Sequence, residues 1–198
     1  MSNPGRVELF LLKCAAIETE LATSRQTGTG PTWVQDEHFL GDKLEIYIRQ
    51  FTKENRMNAT KMAQYYQIFY MLENDIRKLI SETMEASYGI NWWETNAPQA
   101  VQEEARRNRQ REEHAGVTPR SDNEIDYITF GQLYEIIKDN WDDFAGMLSS
   151  QPAVSRVLSG LNMLRGTIAH CGLLADDEVD RLKLAIRDWF RVLEGPKS

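Results

Sequence analysis

From Asn58 to Met84 the chain carries apolar residues at Met62, Tyr65, Tyr66, Phe69, Leu72, Ile76, Leu79 and Ile80, mostly at three- and four-residue steps. Over about seven turns that spacing lines one face of an α-helix, whereas a strand would alternate faces every second residue. Asn58 has the side chain of an N-cap, and Gly89 can supply a left-handed stop. A helix this long with a single apolar face must bury that face against other helices. This one segment therefore points to a helical bundle.

The remaining segments agree with it. Glu8 to Ala22 places Leu9, Leu12, Ala16, Ile17 and Leu21 at helical spacing, and a polar stretch from Thr23 to Pro31 with two Gly and one Pro reads as a linker. A short helix is expected over Gln35 to Phe51, burying Phe39, Leu40, Leu44, Tyr47, Ile48 and Phe51. After Tyr88 to Trp93, Pro98 suits a first helical turn. The run from Glu103 to Glu113 is almost without apolar residues, so a solvated helix or partly mobile arm is expected there. Thr118 to Asn123 reads as a loop. Ile125 to Leu148 is helical in pattern and broken near Asn140. Pro152 opens a helix to about His170 with Val154, Val157, Leu158, Leu161 and Leu164 inward. The last helix, Asp176 to Leu193, would bury Val179, Leu182, Leu184, Ala185, Trp189 and Val192, with acidic residues at its positive end. No segment alternates as a strand does, and no repeat is visible. The expected fold is all-α, a bundle of about four core helices with N-terminal additions and one long polar insertion.

Charge and cysteine content narrow the function. Lys plus Arg is 23 against 30 Asp plus Glu, a formal net charge of −7, which argues against a sequence-independent DNA coat while leaving room for a local basic cleft. Cys14 and Cys171 cannot build a disulfide framework, and neither belongs to a metal-spaced pair. No apolar run approaches the roughly 20 residues of a membrane span, and the N-terminus has no secretory pattern. The expectation is a cytoplasmic, thiol-reduced protein.

Most catalytic signatures are absent. There is no phosphate-binding glycine loop, no dinucleotide fingerprint, no helical His-Glu-x-x-His and no nucleophile elbow. A three-histidine metal site would consume all of His38, His114 and His170, so no metal and no cofactor is expected. Cys171 adjoins His170, but neighbouring side chains on a helix point about 100° apart and make a poor nucleophile–base pair. The informative stretch is Leu161-Asn-Met-Leu-Arg-Gly-Thr-Ile-Ala-His170. On an ideal helix Arg165 and His170 lie about 140° apart. They become a working pair only if the helix ends or distorts near Gly166, or if a second copy completes the site. Otherwise Arg165 salt-bridges within the bundle and His170 caps a helix end.

Arg, four residues, then His at the end of an apolar helix resembles the signature of the HEPN superfamily (higher eukaryotes and prokaryotes nucleotide-binding). The order of Phe69 to Ile80, Tyr88 to Trp93, the charged arm, Asp126 to Leu133, Ile137 to Trp141 and Leu161 to Leu174 resembles the branch that accompanies PIN nuclease domains in a transcript quality-control protein and also occurs in bacteria. The likeness covers about residues 60 to 195. Residues 1–55 lie outside it and read, from their spacing and polar stretch, as an N-terminal helical extension with a Gly/Thr/Pro linker, ahead of a HEPN-like helical domain over residues 56–198. The likeness implies a homodimer whose motif helices meet, and a metal-independent endoribonuclease leaving 2′,3′-cyclic phosphate ends. His170 would act as general acid/base and Arg165 as phosphate clamp. The residue types suit RNA cleavage: an imidazole titrating near ~6.5 moves protons near neutral pH, and a permanently charged planar fork matches a phosphorane.

The residue after the Arg is commonly Asn in active members and here is Gly166. A Tyr that some HEPN toxins carry two residues after the His is here Gly172, so modification of that kind is not expected. Glu73 is a candidate to orient Arg165 or His170, or else an exposed partner of Arg77 at four-residue spacing. Asn162, about 60° from Arg165 on the helix, is a candidate for the same cleft. Arg106, Arg107, Arg109 and Arg111 read as a solvated charged arm, and Trp92, Trp93 and Trp141 as core packing, ahead of RNA contacts. The leading expectation is an RNA-cutting bacterial toxin or anti-phage effector, partnered by RNA and controlled by an antitoxin or other regulatory protein. The alternative is a catalytically weak dimerisation module that binds RNA, nucleotide or protein, and a third class is a structural adaptor.

Overall fold

The computed structural model describes residues 42–195, and the expectations for Glu8 to Ala22, for the Thr23 to Pro31 linker and for Phe39 and Leu40 lie outside them. The chain divides between Arg56 and Met57 into two units. In the first, α1 spans Asp42–Ile48. Leu44, Tyr47 and Phe51 were expected to face inward and are instead exposed.

Helix α2 runs from Lys53 to Tyr88, 36 residues. It begins earlier than expected. The Thr52 hydroxyl accepts from the Asn55 N–H at 3.2 Å and caps the helix, so Asn58 lies inside it. Its buried side is Phe69, Leu72, Ile76, Ile80 and Met84. The last three are fully buried, each contributing on the order of 2 kcal/mol through area removed from water. Tyr66, expected on that side, is exposed. Gly89 ends the helix at φ 77°, a conformation costly for any residue with a Cβ.

Short helix α3, Trp92–Asn96, presses Trp92 and Trp93 into the core edge to face, with ring centroids 5.4 Å apart. Helix α4, Gln99–Ala115, begins just after Pro98. It is docked along one side rather than solvated all round: Val101 and Ala105 are buried, and the Asn108 amide donates to Tyr127 O at 2.8 Å. A single 3-10 turn, Glu124–Tyr127, leads into α5, Phe130–Asp139. Thr129 and Gln132 form a reciprocal capping box at its start. Asn140 breaks the helix as expected, and α6 covers Trp141–Phe144.

Helices α7, Gln151–Ala169, and α8, Asp176–Val192, complete the core. The Ser149 N–H donates to Val192 O at 2.9 Å, tying the start of α7 to the end of α8. The inward residues of α7 are those expected, with Ile168 added. On α8, Leu182, Trp189 and Val192 are buried, but Leu184 is exposed. The described residues form helices only, with no strand, and α2, α5, α7 and α8 supply most of one continuous core.

Candidate functional site

Helix α7 is built to hold its C-terminal end firmly. Ser150 caps its start by accepting from the Ala153 N–H at 3.3 Å, and Pro152 sits in the first turn, where its missing N–H costs nothing. The far end closes with paired bonds. The Cys171 N–H donates to Ile168 O at 3.1 Å and the Gly172 N–H to Thr167 O at 2.8 Å, the pattern of a Schellman motif. The left-handed residue of that motif is Cys171, at φ 59°. Gly172 is required by space: a Cβ there would lie 2.8 Å from Thr167 Cγ2 and 3.1 Å from Thr167 O. A tyrosine in this position would force the turn open.

This turn sets the place of His170. It is the C-cap residue of α7, and its N–H still bonds to Gly166 O at 3.1 Å. The helix therefore does not distort at Gly166. It continues through Ala169, and within one chain Arg165 and His170 stay on different faces, both reachable by solvent. Relieving the strained cap is expected to stabilise the fold. Cys171→Gly should raise stability by about 1 kcal/mol, measured by urea unfolding, because glycine takes the left-handed conformation without a Cβ penalty.

Arg165 is held from the side. Its Nε lies 3.5 Å from Glu73 Oε2, reaching from α7 to α2. The other oxygen, Glu73 Oε1, accepts from Arg77 Nη2 at 2.5 Å. Arg77 is itself anchored: Nη2 also donates to Ile128 O at 3.1 Å and Nη1 donates to Ile125 O. The side chains of Arg77 and Glu73 are only 11% and 15% exposed, while that of Arg165 is 39% exposed. A chain of contacts thus runs from the segment after the 3-10 turn through Arg77 and Glu73 to Arg165. One carboxylate between two guanidinium groups leaves the cluster with a net positive charge. The contact to Arg165 is through Nε, which leaves the Nη fork for an anion.

Glu73 pairs with Arg77 at four-residue spacing and also reaches Arg165, but it is not the exposed carboxylate of the alternative expectation, because its side chain is nearly covered between the two guanidinium groups. Asn162 is exposed, one turn before Arg165, and its side chain packs over the start of α5, where a Cβ on Gly131 would lie 3.3 Å from Asn162 Nδ2. Three of the four arginines of α4 are engaged by neighbouring groups, while Arg106 is exposed. Arg107 pairs with Glu104, holding that carboxyl below its usual range, and Arg109 lies 3.1 Å from Glu124 and over the Tyr127 ring. Arg111 donates to Asn108 Oδ1 at 3.2 Å. Trp92 and Trp93 are core residues, as expected. Arg77 was the member of the cluster whose importance the sequence concealed; its four-residue spacing from Glu73 was the available signal. No helix among the described residues is long and apolar enough to cross a membrane.

No curated protein and no solved structure matches the chain. A family model described as Swt1-like HEPN matches residues 67–194, well over half of the chain and close to the span of the likeness in its sequence. The matched span holds Glu73, Arg77, Arg165 and His170. The chain belongs to the Swt1-like HEPN family, the branch of the superfamily found in Swt1 together with a PIN domain.

Proposed function

We propose that this protein is a metal-independent endoribonuclease in which Arg165 and His170 of two protomers line one cleft. The observation that carries the reading is the open guanidinium of Arg165, whose Nε lies 3.5 Å from Glu73 Oε2 while its side chain stays 39% exposed. A preorganised cation needs no rearrangement when charge develops on a phosphate, and that is where electrostatic catalysis gains most. His170, exposed at the end of the same helix on another face, supports completion of the site by a second copy rather than within one chain.

The chemistry follows from these groups. A 2′-hydroxyl of RNA gives its proton to one imidazole as its oxygen attacks the adjacent phosphorus. The bond to the 5′-oxygen breaks, and that oxygen takes a proton from the second imidazole. The products are a 2′,3′-cyclic phosphate and a 5′-hydroxyl. Arg165 balances the added negative charge of the phosphorane, and Glu73 orients Arg165. Asn162 belongs to the rim of the same cleft.

The test is cleavage of RNA by purified protein in EDTA. Products ending in 2′,3′-cyclic phosphate support the reading. A folded dimer that cuts no RNA refutes it and leaves the binding-module alternative. That alternative draws on Gly166, where active family members commonly carry Asn. A Cβ at Gly166 would meet nothing within 4 Å, so a side chain can start there without a clash. Gly166→Asn is expected to raise the cleavage rate and to add a few tenths of a kcal/mol to helix stability, read from initial rates and urea unfolding. In a cell this activity suits a toxin or anti-phage effector restrained by an antitoxin or other regulatory protein. Induced expression would then stop growth only with Arg165 and His170 intact.

A further inference from the structure

The stripe of α2 that carries Glu73 and Arg77 continues towards the helix start as Tyr70 and Tyr66. At about 100° per residue all four fall within roughly 60° of one another. The stripe changes character along its length. Its later half is nearly covered and ion-paired, whereas Tyr70 and Tyr66 are 61% and 60% exposed. Two neighbouring rings open to solvent offer flat faces on which a planar ligand can stack. The two rings are 6.3 Å apart at centroid and inclined by 37°, so they do not stack on each other. Tyr70 stands one turn from Glu73, at the three-residue spacing that makes helix side chains neighbours. Glu73 in turn holds Arg165 at 3.5 Å.

We infer that Tyr66 and Tyr70 form a stacking ledge for unpaired bases of the RNA strand whose phosphate Arg165 binds. The inference rests on the ribonuclease reading and adds a substrate class to it: single-stranded RNA, or loops, without strong base preference. Charge complementarity selects this occupant. The cluster at the end of the ledge is net positive, and a flexible strand can place a phosphate on the guanidinium while its neighbouring bases lie on the rings. Aromatic stacking tolerates any base because every base has a π-face, and a base locked in a duplex cannot reach the ledge.

The experiment measures binding of a labelled unpaired RNA decamer to His170→Ala protein, which keeps the ledge and Arg165, beside cleavage of the same decamer by protein with His170 intact. Adding Tyr66→Ala or Tyr70→Ala should weaken binding roughly 5- to 100-fold, and Tyr70→Phe, which keeps the ring, should restore it. Binding of a fully paired RNA should not respond to these changes, and the response to Tyr70→Ala should vanish on a decamer with abasic positions. Equal binding of the unpaired RNA by all variants overturns the ledge, even with cleavage intact. Tyrosine-dependent binding without cleavage by the His170-containing protein supports the ledge and sinks the nuclease. Failure to bind any RNA overturns both. If the tyrosine variants instead become monomeric by light scattering, the face belongs to a second copy, and the ledge is wrong.

Discussion

Replacing Arg165 or His170 by alanine should lower RNA cleavage by a hundredfold or more in each case, with folding nearly unchanged. The magnitude comes from the two roles. Removing a preorganised charge stabiliser costs about 100- to 1,000-fold, and removing a positioned acid or base about 100- to 10,000-fold. The unchanged folding comes from the geometry. When Arg165 is lost, Glu73 remains bonded to Arg77, so no carboxylate is stranded in a nearly covered site. His170 is an exposed cap residue whose backbone, not its imidazole, makes the bond to Gly166 O. Arg165→Lys should fall between parent and alanine variant, because an ammonium keeps the charge and loses the planar fork. Initial rates on one RNA substrate, with urea unfolding of each variant, check the prediction. A variant that loses activity only in proportion to unfolded protein would contradict it.

Arg77→Ala should have the opposite signature, a large loss of stability before any question of chemistry. One guanidinium serves Glu73, Ile125 O and Ile128 O, and its side chain is 11% exposed. Removing it leaves two carbonyls and a half-paired carboxylate in a poorly solvated place. Each stranded group costs about 1–3 kcal/mol, and breaking a covered ion pair costs about 3–5 kcal/mol. These costs do not add, because Glu73 keeps Arg165 as a partner and the freed carbonyls can turn towards water. A net loss of about 3 kcal/mol is expected, read as a lower urea midpoint with an unchanged slope. Arg77→Lys should recover only part of it, because a point charge cannot serve three acceptors arranged around a planar fork. A loss under about 1 kcal/mol would place Arg77 among ordinary surface ion pairs.

Much of the fold was legible because periodicity reports burial. The inward residues of α7, the break at Asn140 and the stop at Gly89 all came from local patterns. The start of α2 did not, because Lys53 to Asn58 holds a single apolar residue, Met57, and so carries no apolar rhythm, although Thr52 with Asn55 was a cap in plain view. Helix α4 read as solvated because charge dominates it. Its apolar contact rests on two small residues, too few to register as a stripe, and polar contacts of Asn108 and Arg109 with Tyr127 and Glu124 supply the rest. Tyr66 and Leu184 read as inward because residue type and spacing cannot say how wide a buried face is.

The candidate site was legible in a different way. Arg165 and His170 came from a resemblance, and spacing alone argued that they do not meet within one helix. The pairing of Glu73 with Arg77 was visible at four residues. Its contact with Arg165 joins distant parts of the chain, so no local pattern could display it. The end of α7 near His170 was legible, but the form of its cap was not, because the left-handed position falls on Cys171 rather than on the neighbouring glycine.

The central claim is that two chains complete one active site, and subunit complementation tests it most directly. Arg165→Ala and His170→Ala chains with different tags are co-expressed, and the mixed dimer is purified through both tags and assayed on RNA in EDTA. The mixed cleft still holds one intact Arg165 and one intact His170, contributed by opposite chains. The account predicts cleavage above that of either mutant homodimer but below wild type, because a single imidazole is left where the full cleft has one for each proton transfer. A mixed dimer as inactive as its parents, beside an active wild type, would contradict a site shared between protomers.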